Sequence, residues 1–477
     1  MIKISKKISV LLVLYLLAVQ ITSVYGYEAE IPAKPEYTAG AVVLMDAATG
    51  LVLYESAGRE RMYPASVTKV MTAMVVLEQA SDLTERIEFC DYAVWSIPRN
   101  SSHIYMDVGE TLSIYEALYA LMLESANEVS VALALHIAGS VEEFTDLMNR
   151  RAAQIGAVDT NFVNPSGLPA REHFTTAYDM SLIMREAVQN PIFANIISSV
   201  RFDIAPTERQ PETRHLLNFN QMIRPGTFYN EAVIGGKTGW TTPAGNTLVT
   251  YAYQNGRRLI ATVLQGVGSG AFTDTSALLR YGFALPMEYV TVFDSAAYSV
   301  TVPVKQEIGG NMTEIGRVRL AASNDLTFEL PHGWSNSWLR YELSVPETLA
   351  PPVLTDATLG RVAVYVQNIR VGEVTLTSQD SVFAYTPGYD YAETVYEPAP
   401  EIYPAEIYDP FQIFTGALSF LNNEYVLTLI IPLTLSLLTL SISFFVVATR
   451  HKRRLRRMLR QRRTRFDKYP HYRYKAQ

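Results

Sequence analysis

Residues 66–80 read SVTKVMTAMVVLEQA, with apolar side chains at the spacing of a buried helix. Pro64 stands just before this stretch and indicates a helix start close to Ser66. Upstream, residues 39–58 read AGAVVLMDAATGLVLYESAG, two β-rich runs around a turn signal at Asp46 to Gly50. The sequence therefore predicts a β-hairpin followed by a helix, with Ser66 where that helix begins.

A second helical region follows further along the chain. It opens at Ser113, with Glu116 three residues later in the pattern of a capping box. The apolar pattern stops at Ser125-Ala126-Asn127 and then resumes through VSVALALHIAG. We therefore expect these three residues on a short connection between two buried helices.

Strand patterns return from Ile234 onward. Lys237-Thr238-Gly239 is predicted at the start of a strand, and NTLVTYAY and RLIATVLQ are joined across Asn255-Gly256, a strong hairpin signal. Strands at both ends with helices between them, without alternating βαβ units, favour a mixed α/β fold with an antiparallel sheet built from both ends.

The rest of the chain changes character after about residue 285. Short alternating runs with turn residues between them predict a small all-β domain over residues 286–384. Residues 385–425 are rich in Pro, Tyr and Glu at their start and are expected to be an extended linker. No internal repeat is found.

Both ends of the chain carry membrane-targeting patterns. Residues 1–26 combine three lysines with a short apolar run, as in an export signal cleaved after Gly26; an uncleaved anchor is the alternative. Residues 426–448 are apolar and uncharged, which predicts a transmembrane helix, and the basic residues 449–477 predict a cytoplasmic tail. That tail would interact with anionic lipid or, alternatively, with a specific partner. We expect a single-pass membrane protein with its catalytic region outside the membrane.

Composition narrows the function classes further. Of the 40 Lys and Arg residues, 13 lie in the last 28 positions, so the rest of the chain carries an excess of acidic residues. An acidic surface repels phosphate groups, which argues against nucleic-acid binding by this part of the chain. Cys90 is the only cysteine, which excludes an intrachain disulfide. We expect Cys90 to be a small buried core residue rather than a nucleophile.

Three short motifs could carry chemistry, although each is weak alone. In Ser66-Val67-Thr68-Lys69 the amine lies one helical turn from the hydroxyl and could activate it. Ser125 could relay a proton and Asn127 could hold a substrate amide. Lys237 and Thr238 could bind a carboxylate, with Gly239 allowing close approach of a substrate backbone.

Together and in this order, the motifs resemble those of the low-molecular-mass penicillin-binding proteins, specifically the D-alanyl-D-alanine carboxypeptidase family. The resemblance extends over about residues 36–280 and predicts a catalytic domain at 36–285 with the penicillin-binding/β-lactamase-like transpeptidase fold. Further matches are MNRRAAQIGAVDTNFVNPSGL (148–168), HFTTAYD (173–179) and RHLLNFN (214–220). Ala126 departs from the glycine that is common in the second motif, and the predicted transmembrane span departs from the usual amphipathic anchor.

The resemblance also implies a role for each motif residue. Ser66 is expected to be the acylated nucleophile, Lys69 its base, and Ser125 the proton relay with Asn127. Backbone amides of Ser66 and of a residue just after Gly239 are expected to form the oxyanion hole. Lys237, Thr238 and Gly239 would bind the terminal carboxylate region of the substrate. Arg214 is expected to assist them, and His173 to organise its loop.

The implied reaction is removal of the last D-alanine from a peptidoglycan stem peptide, without a metal or organic cofactor. Penicillins and other β-lactams are expected to acylate Ser66. A β-lactamase is one alternative, but no clear E-x-x-x-N element stands in the expected surroundings between the second and third motifs. A catalytically silent wall-peptide sensor is the other alternative, and the intact Ser66, Lys69, Ser125 and Lys237 argue against it.

Overall fold

The structure is a computed structural model that describes residues 31–386. The described chain holds sixteen strands: β1 Ala41–Asp46, β2 Val52–Ser56, β3 Arg86–Glu88, β4 Thr111–Ser113, β5 Arg201–Ile204, β6 Arg214–Leu217, β7 Val233–Thr241, β8 Gly245–Gln254, β9 Arg257–Gly266, β10 Met287–Phe293, β11 Ser299–Ile308, β12 Asn311–Ala322, β13 Leu326–Pro331, β14 Leu339–Ser344, β15 Thr358–Val366 and β16 Ile369–Ser378. Its α-helices are α1 Lys69–Gln79, α2 Asp91–Trp95, α3 Ile114–Leu123, α4 Asn127–Ala138, α5 Val141–Gln154, α6 Ala177–Ala187, α7 Pro191–Ser198 and α8 Gly270–Ala284.

A five-stranded antiparallel sheet organises the first part of the chain. Its order is β2-β1-β9-β8-β7, so strands from before and after the helices pair directly. The β8–β9 hairpin turns at Asn255 and Gly256, both in the left-handed region, as the sequence signal predicts. The predicted mixed α/β class with an antiparallel sheet is confirmed.

Both faces of this sheet are covered. Along β1, Ala41, Val43 and Met45 face a core shared with α1 and α3–α7, whereas Val42 and Leu44 face a second core that includes α8. This alternation is the two-residue period of a strand. Helix α1 is buried along most of its length, so it lies in the middle of the helical layer.

Local signals place the helix starts correctly. Ser113 and Glu116 form the predicted capping box at the start of α3, each side chain bonding the other residue's backbone amide. Glu124, Ser125 and Ala126 connect α3 to α4, so Asn127 is the first residue of α4 and not part of the connection as predicted. A single 3₁₀ turn, Ala65–Thr68, leads into α1.

The regular structure in residues 287–378 consists of strands apart from two short 3₁₀ helices, in agreement with the predicted all-β composition. Strands β11-β12-β16-β15-β14 form one antiparallel sheet and β10-β13 a smaller one. Gln367, in the β15–β16 turn, bonds the backbone of Val52 in both directions, at 2.8 and 3.0 Å. The all-β region is therefore attached to the edge strand β2 of the first sheet.

Two local expectations are wrong. Cys90 is exposed rather than buried, because it precedes the short surface helix α2 as its N-cap residue. Lys237-Thr238-Gly239 lies inside β7 rather than at its start. The strand begins at Val233, and Gly235 and Gly236 belong to it because β8 approaches closely: a Cβ on Gly236 would come within 2.3 Å of the Val249 carbonyl oxygen.

The predicted export signal (1–26), transmembrane helix (426–448) and basic tail (449–477) lie outside the described residues, as does nearly all of the linker (385–425). Within residues 31–386, no helix has both the length and the apolar character that a membrane crossing requires.

Candidate active site

Ser66 lies in the 3₁₀ turn that precedes α1, and Lys69 is the first residue of the helix. The Lys69 Nζ atom is 3.1 Å from Ser66 Oγ, within the range for direct proton transfer. Nζ also lies 2.6 Å from Asn127 Oδ1 and 2.6 Å from the Ser166 carbonyl oxygen. The amine is therefore held in place by oxygen atoms from two other segments.

The environment of Lys69 favours the neutral amine. The side chain is fully buried, and this loss of solvation lowers its pKa well below the ordinary value. The nearby positive charge of Lys237 lowers the pKa further, while Glu128 acts in the opposite direction. A neutral amine beside a hydroxyl can accept its proton, which is the chemistry that a serine nucleophile needs.

Residues 164–168, called here the 164–168 loop, brace the start of α1. The Pro165 carbonyl accepts a 2.7 Å bond from Thr72 Oγ1, one turn beyond Lys69. Gly167 has φ +84, and a Cβ added there would lie 1.9 Å from the Ala65 carbonyl oxygen. Only glycine fits this contact, so the loop packs directly on the backbone that carries Ser66.

The second motif brings its polar atoms to the same place. Ser125 has a positive φ of 61, and its buried Oγ atom has no hydrogen-bond partner within the described residues. Asn127 begins α4 and faces Lys69. The turn therefore presents a hydroxyl without a partner next to an amide that contacts the amine.

The third motif lies on β7, which is the edge strand of the five-stranded sheet. A Cβ on Gly239 would lie 2.6 Å from the Ser66 amide nitrogen, so the strand backbone passes directly beside the start of α1. Lys237 is 1% exposed, and its burial lowers the pKa of the amine to about 7. The negative charge of Glu124 acts in the opposite direction and raises this pKa. Its Nζ atom donates to the Thr238 carbonyl oxygen at 2.8 Å.

Arg214 is bonded to other groups of the protein, which differs from what is expected of a residue that binds the substrate carboxylate. Its guanidinium makes a buried two-pronged ion pair with Glu110, at 2.7 and 2.8 Å, and also donates to the backbone carbonyls of Ile104 and Tyr105. Burial raises the pKa of Glu110, but the bonds from Arg214 and Thr207 lower it more. The structure thus gives Arg214 a role in holding the segment around Ile104 and Glu110.

His173 is fully buried beneath the 3₁₀ turn. Its Nδ1 atom accepts from the Val163 amide at 3.2 Å, so Nε2 carries the proton and donates to Thr68 Oγ1 at 2.9 Å. Burial, and secondarily the charge of Lys69, lower its pKa to about 4. His173 therefore stays neutral and links the segment before the 164–168 loop to the start of α1, as expected for a residue that organises the loop.

Sequence reasoning missed two parts of the site. Ser166 contributes only its carbonyl oxygen, which any residue could supply, so its identity gives no signal beyond the turn-forming sequence NPSG. Glu128 follows Asn127 directly and is only 2% exposed. Its position after the second motif gives no indication in the sequence that the side chain is buried. Within residues 31–386, no group of three or more His, Cys, Asp or Glu side chains is placed to hold a metal ion.

Comparisons with known proteins agree with this arrangement. The sequence profile of the D-alanyl-D-alanine carboxypeptidase family matches residues 28–268. D-alanyl-D-alanine carboxypeptidase DacC of Escherichia coli is 32% identical over 328 residues, which cover 66% of this chain and 78% of that protein. DacF of Bacillus subtilis is 32% identical over 48% of this chain, and the match spans 57% of its own length.

Solved structures show the same similarity. Penicillin binding protein 5 from Haemophilus influenzae has a TM-score of 0.53 and 26% identity, covering 74% of this chain and all of that structure. The Streptomyces K15 DD-transpeptidase has a TM-score of 0.50 and 28% identity, covering 53% of this chain and 100% of that one. With its serine, amine and edge strand assembled at one place, this chain is a serine peptidase and belongs to the D-alanyl-D-alanine carboxypeptidase family.

Proposed function

We propose that Ser66, Lys69, Ser125 and the β7 edge carry out the family's carboxypeptidase reaction on peptidoglycan stem peptides, outside the membrane. The observation that carries this proposal is the 3.1 Å contact between Lys69 Nζ and Ser66 Oγ, in surroundings that lower the amine's pKa. The same geometry suits acyl transfer from any D-alanyl-D-alanine terminus.

In the first step, Lys69 takes the proton of Ser66 and the Oγ atom attacks the carbonyl between the last two D-alanines. The two N–H groups of the neutral Lys69 amine donate hydrogen bonds to Asn127 Oδ1 and the Ser166 carbonyl oxygen. Its lone pair is therefore left to accept the proton of the Ser66 hydroxyl. The C–N bond then breaks, and the departing amine of D-alanine receives a proton through Ser125. Water attacks the resulting ester and restores the Ser66 hydroxyl.

The edge strand β7 orients the substrate in this proposal. An edge strand has free backbone groups, so a peptide can lie along it with its carbonyl directed to the Ser66 amide. Protonated Lys237 and the Thr238 hydroxyl bind the terminal carboxylate. A β-lactam carries a similar amide and carboxylate, so it acylates Ser66 by the same route.

The test is the release of D-alanine from a pentapeptide together with labelling by a fluorescent penicillin. We expect Ser66→Ala to lose both, and Lys69→Ala to lower both by roughly a thousandfold, the middle of the range for general-base catalysis. Lys34→Ala, at an exposed lysine, is the matched control and keeps both activities. D-alanine release that persists in Ser66→Ala would overturn the proposal. Steady turnover of penicillin would instead indicate a β-lactamase.

We also propose that residues 426–448 anchor the enzyme and that residues 449–477 remain in the cytoplasm. The support is the uncharged apolar stretch followed directly by a basic run. We expect the full chain to sediment with membranes after carbonate washing, and a chain that ends at residue 386 to appear in the medium. Recovery of the full chain in the medium would contradict this topology.

A further inference from the structure

The side chain of Asn164 takes no part in the proposed reaction, yet it bonds to each of the residues Ser166, Gly167 and Leu168. Its Oδ1 atom accepts from the Ser166 amide at 3.2 Å, from Ser166 Oγ at 2.9 Å and from the Gly167 amide at 2.8 Å. Its Nδ2 atom donates to the Leu168 carbonyl oxygen at 2.9 Å. Backbone N–H groups need an oxygen as acceptor, so these bonds fix the orientation of the carboxamide. One side chain therefore ties the 164–168 loop together.

The bond to the Gly167 amide bears directly on the catalytic base. This N–H belongs to the same peptide unit as the Ser166 carbonyl, whose oxygen accepts from Lys69 Nζ at 2.6 Å. A trans peptide is planar and its N–H and C=O point in opposite directions, so holding one fixes the direction of the other. Asn164 thus holds the N–H end of the peptide unit whose C=O end bonds Lys69.

Gly167 makes such a restraint necessary. Only glycine fits against the Ala65 carbonyl, and Gly167 takes a φ of +84 there. Without a Cβ, however, glycine rotates its backbone more freely than any other residue, so the peptide unit that precedes it can turn easily. A turn of this unit would direct the Ser166 carbonyl away from Lys69. The Asn164 side chain supplies the restraint that glycine cannot.

The Ser166 carbonyl in turn determines where the lone pair of Lys69 points. A neutral amine has two N–H groups and one lone pair, and here the N–H groups bond Asn127 Oδ1 and the Ser166 carbonyl oxygen. If that carbonyl turned away, an N–H group could point at Ser66 Oγ, 3.1 Å from Nζ, in place of the lone pair. The amine would then be a poorer acceptor of the Ser66 proton, although its contacts with the substrate would be unchanged.

We propose that Asn164 is a positioning residue that acts through the catalytic base. Its bond to the Gly167 amide aligns the Ser166 carbonyl. That carbonyl keeps the lone pair of Lys69 directed at Ser66 Oγ. The inference rests on the proposed function, because it takes Lys69 as the base of the acylation step.

Two other roles for Asn164 lead to different expectations. If the side chain only stabilises the loop, its loss lowers the midpoint of thermal unfolding and leaves the acylation rate of the folded protein unchanged. If it acts on Ser66 through the contact between the loop and Ala65, its loss slows acylation whether or not Lys69 is present. An effect through the base disappears once the base is removed.

The experiment is a double-mutant cycle on the full-length protein in detergent. The readout is the first-order rate constant of acylation by benzylpenicillin at saturation, with each variant at the pH of its maximum rate. We expect Asn164→Ala to lower this constant by roughly ten- to a hundredfold, since a displacement of about 1 Å can cost a hundredfold in rate. In the Lys69→Ala background the same substitution should change the constant by a factor of about one.

Further variants of the same segment separate the acceptor oxygen from other effects. Asn164→Asp keeps an oxygen for the Gly167 amide and should retain most of the acylation rate. Asn164→Gln moves the carboxamide by one methylene group, so it should lose rate as Asn164→Ala does, and it replaces that variant if the alanine protein does not fold. Asn161→Ala is the matched control, because it removes a 2.7 Å bond to the Glu172 carbonyl oxygen outside the loop. Its acylation rate should equal that of the wild type.

The inference is wrong if folded Asn164→Ala is acylated at the wild-type rate, or if the substitution costs the same factor with and without Lys69. A loss in Asn164→Asp as large as in Asn164→Ala would also contradict it, since the acceptor oxygen would then not be the cause. If Lys69→Ala alone were acylated at the wild-type rate, Lys69 would not be the base. The mechanism in the proposed function would then fail, and this inference with it.

Discussion

Lys69 and Lys237 are both buried, yet the proposed steps need them in opposite protonation states. Lys69 acts as a base above its lowered pKa, and Lys237 binds a carboxylate below its pKa of about 7. We expect kcat/KM for D-alanine release to rise with pH as Lys69 deprotonates and to fall above about pH 7 as Lys237 does. The alkaline fall of kcat should lie at higher pH, because bound substrate carboxylate favours the charged amine.

Lys237→Arg provides the control for this pH profile. A guanidinium stays protonated throughout the range, so the alkaline fall in kcat/KM should disappear even if the overall rate is lower. An unchanged alkaline fall in this variant would show that another group titrates.

The pair of Arg214 and Glu110 makes a second prediction for single residues. Arg214→Met leaves the Glu110 carboxylate buried and unpaired, which should cost roughly 3–5 kcal/mol in the free energy of unfolding. The folded Glu110 pKa is lowered, so the pair stabilises the fold above the ordinary carboxyl pKa, and this contribution is lost as pH falls through the lowered value. Urea titration at neutral and acid pH measures both effects.

The folded Arg214→Met protein should be acylated by penicillin with the same dependence on penicillin concentration as the wild type. A stable variant that needs much more penicillin would instead restore the role in carboxylate binding that the sequence suggested for Arg214.

Among the loops and turns, the 164–168 loop is the most sensitive to a single added methyl group. Gly167 and Gly256 have nearly equal φ values of +84 and +86, but a Cβ on Gly256 meets nothing within 4 Å. Gly256→Ala should therefore cost only the left-handed backbone penalty, roughly 1–2 kcal/mol. Gly167→Ala adds a collision with the Ala65 carbonyl, so it should lower stability further and slow penicillin acylation of Ser66.

Thermal unfolding and acylation rates of the two alanine variants separate these contributions. If both variants acylate at the wild-type rate, the loop does not position Ser66.

The sequence predicts these local structures unevenly. Hairpins, the capping box and the break at Ser125 follow from short-range chemistry, so their positions are predicted correctly. The Lys69–Ser166 contact joins residues 97 apart through a backbone carbonyl, and Arg214 meets Glu110 across 104 residues. Such contacts depend on how distant segments pack, and nothing in the local pattern specifies the partner.

At the scale of the whole described chain, the first sheet and the all-β region share one apolar core. Leu44 and Leu248 belong to the same cluster as Val302, Val318 and Val362. We expect residues 31–386 to unfold in one calorimetric transition, since separating the two parts would expose this surface. Gln367→Ala removes both bonds to Val52 and should lower the midpoint, whereas the exposed Gln379→Ala should not.

Two resolved transitions in the unsubstituted protein would contradict a shared core. A Gln367→Ala protein with an unchanged midpoint would show that the apolar contacts alone join the two parts.

The exposed position of Cys90 has a practical consequence. As the chain's sole thiol, it allows a fluorophore to be attached at one defined place without engineering. The label would sit at the N-terminus of α2, five residues from the Trp95 indole. Quenching between dye and indole would then report in real time any change in structure around α2 when a β-lactam acylates Ser66.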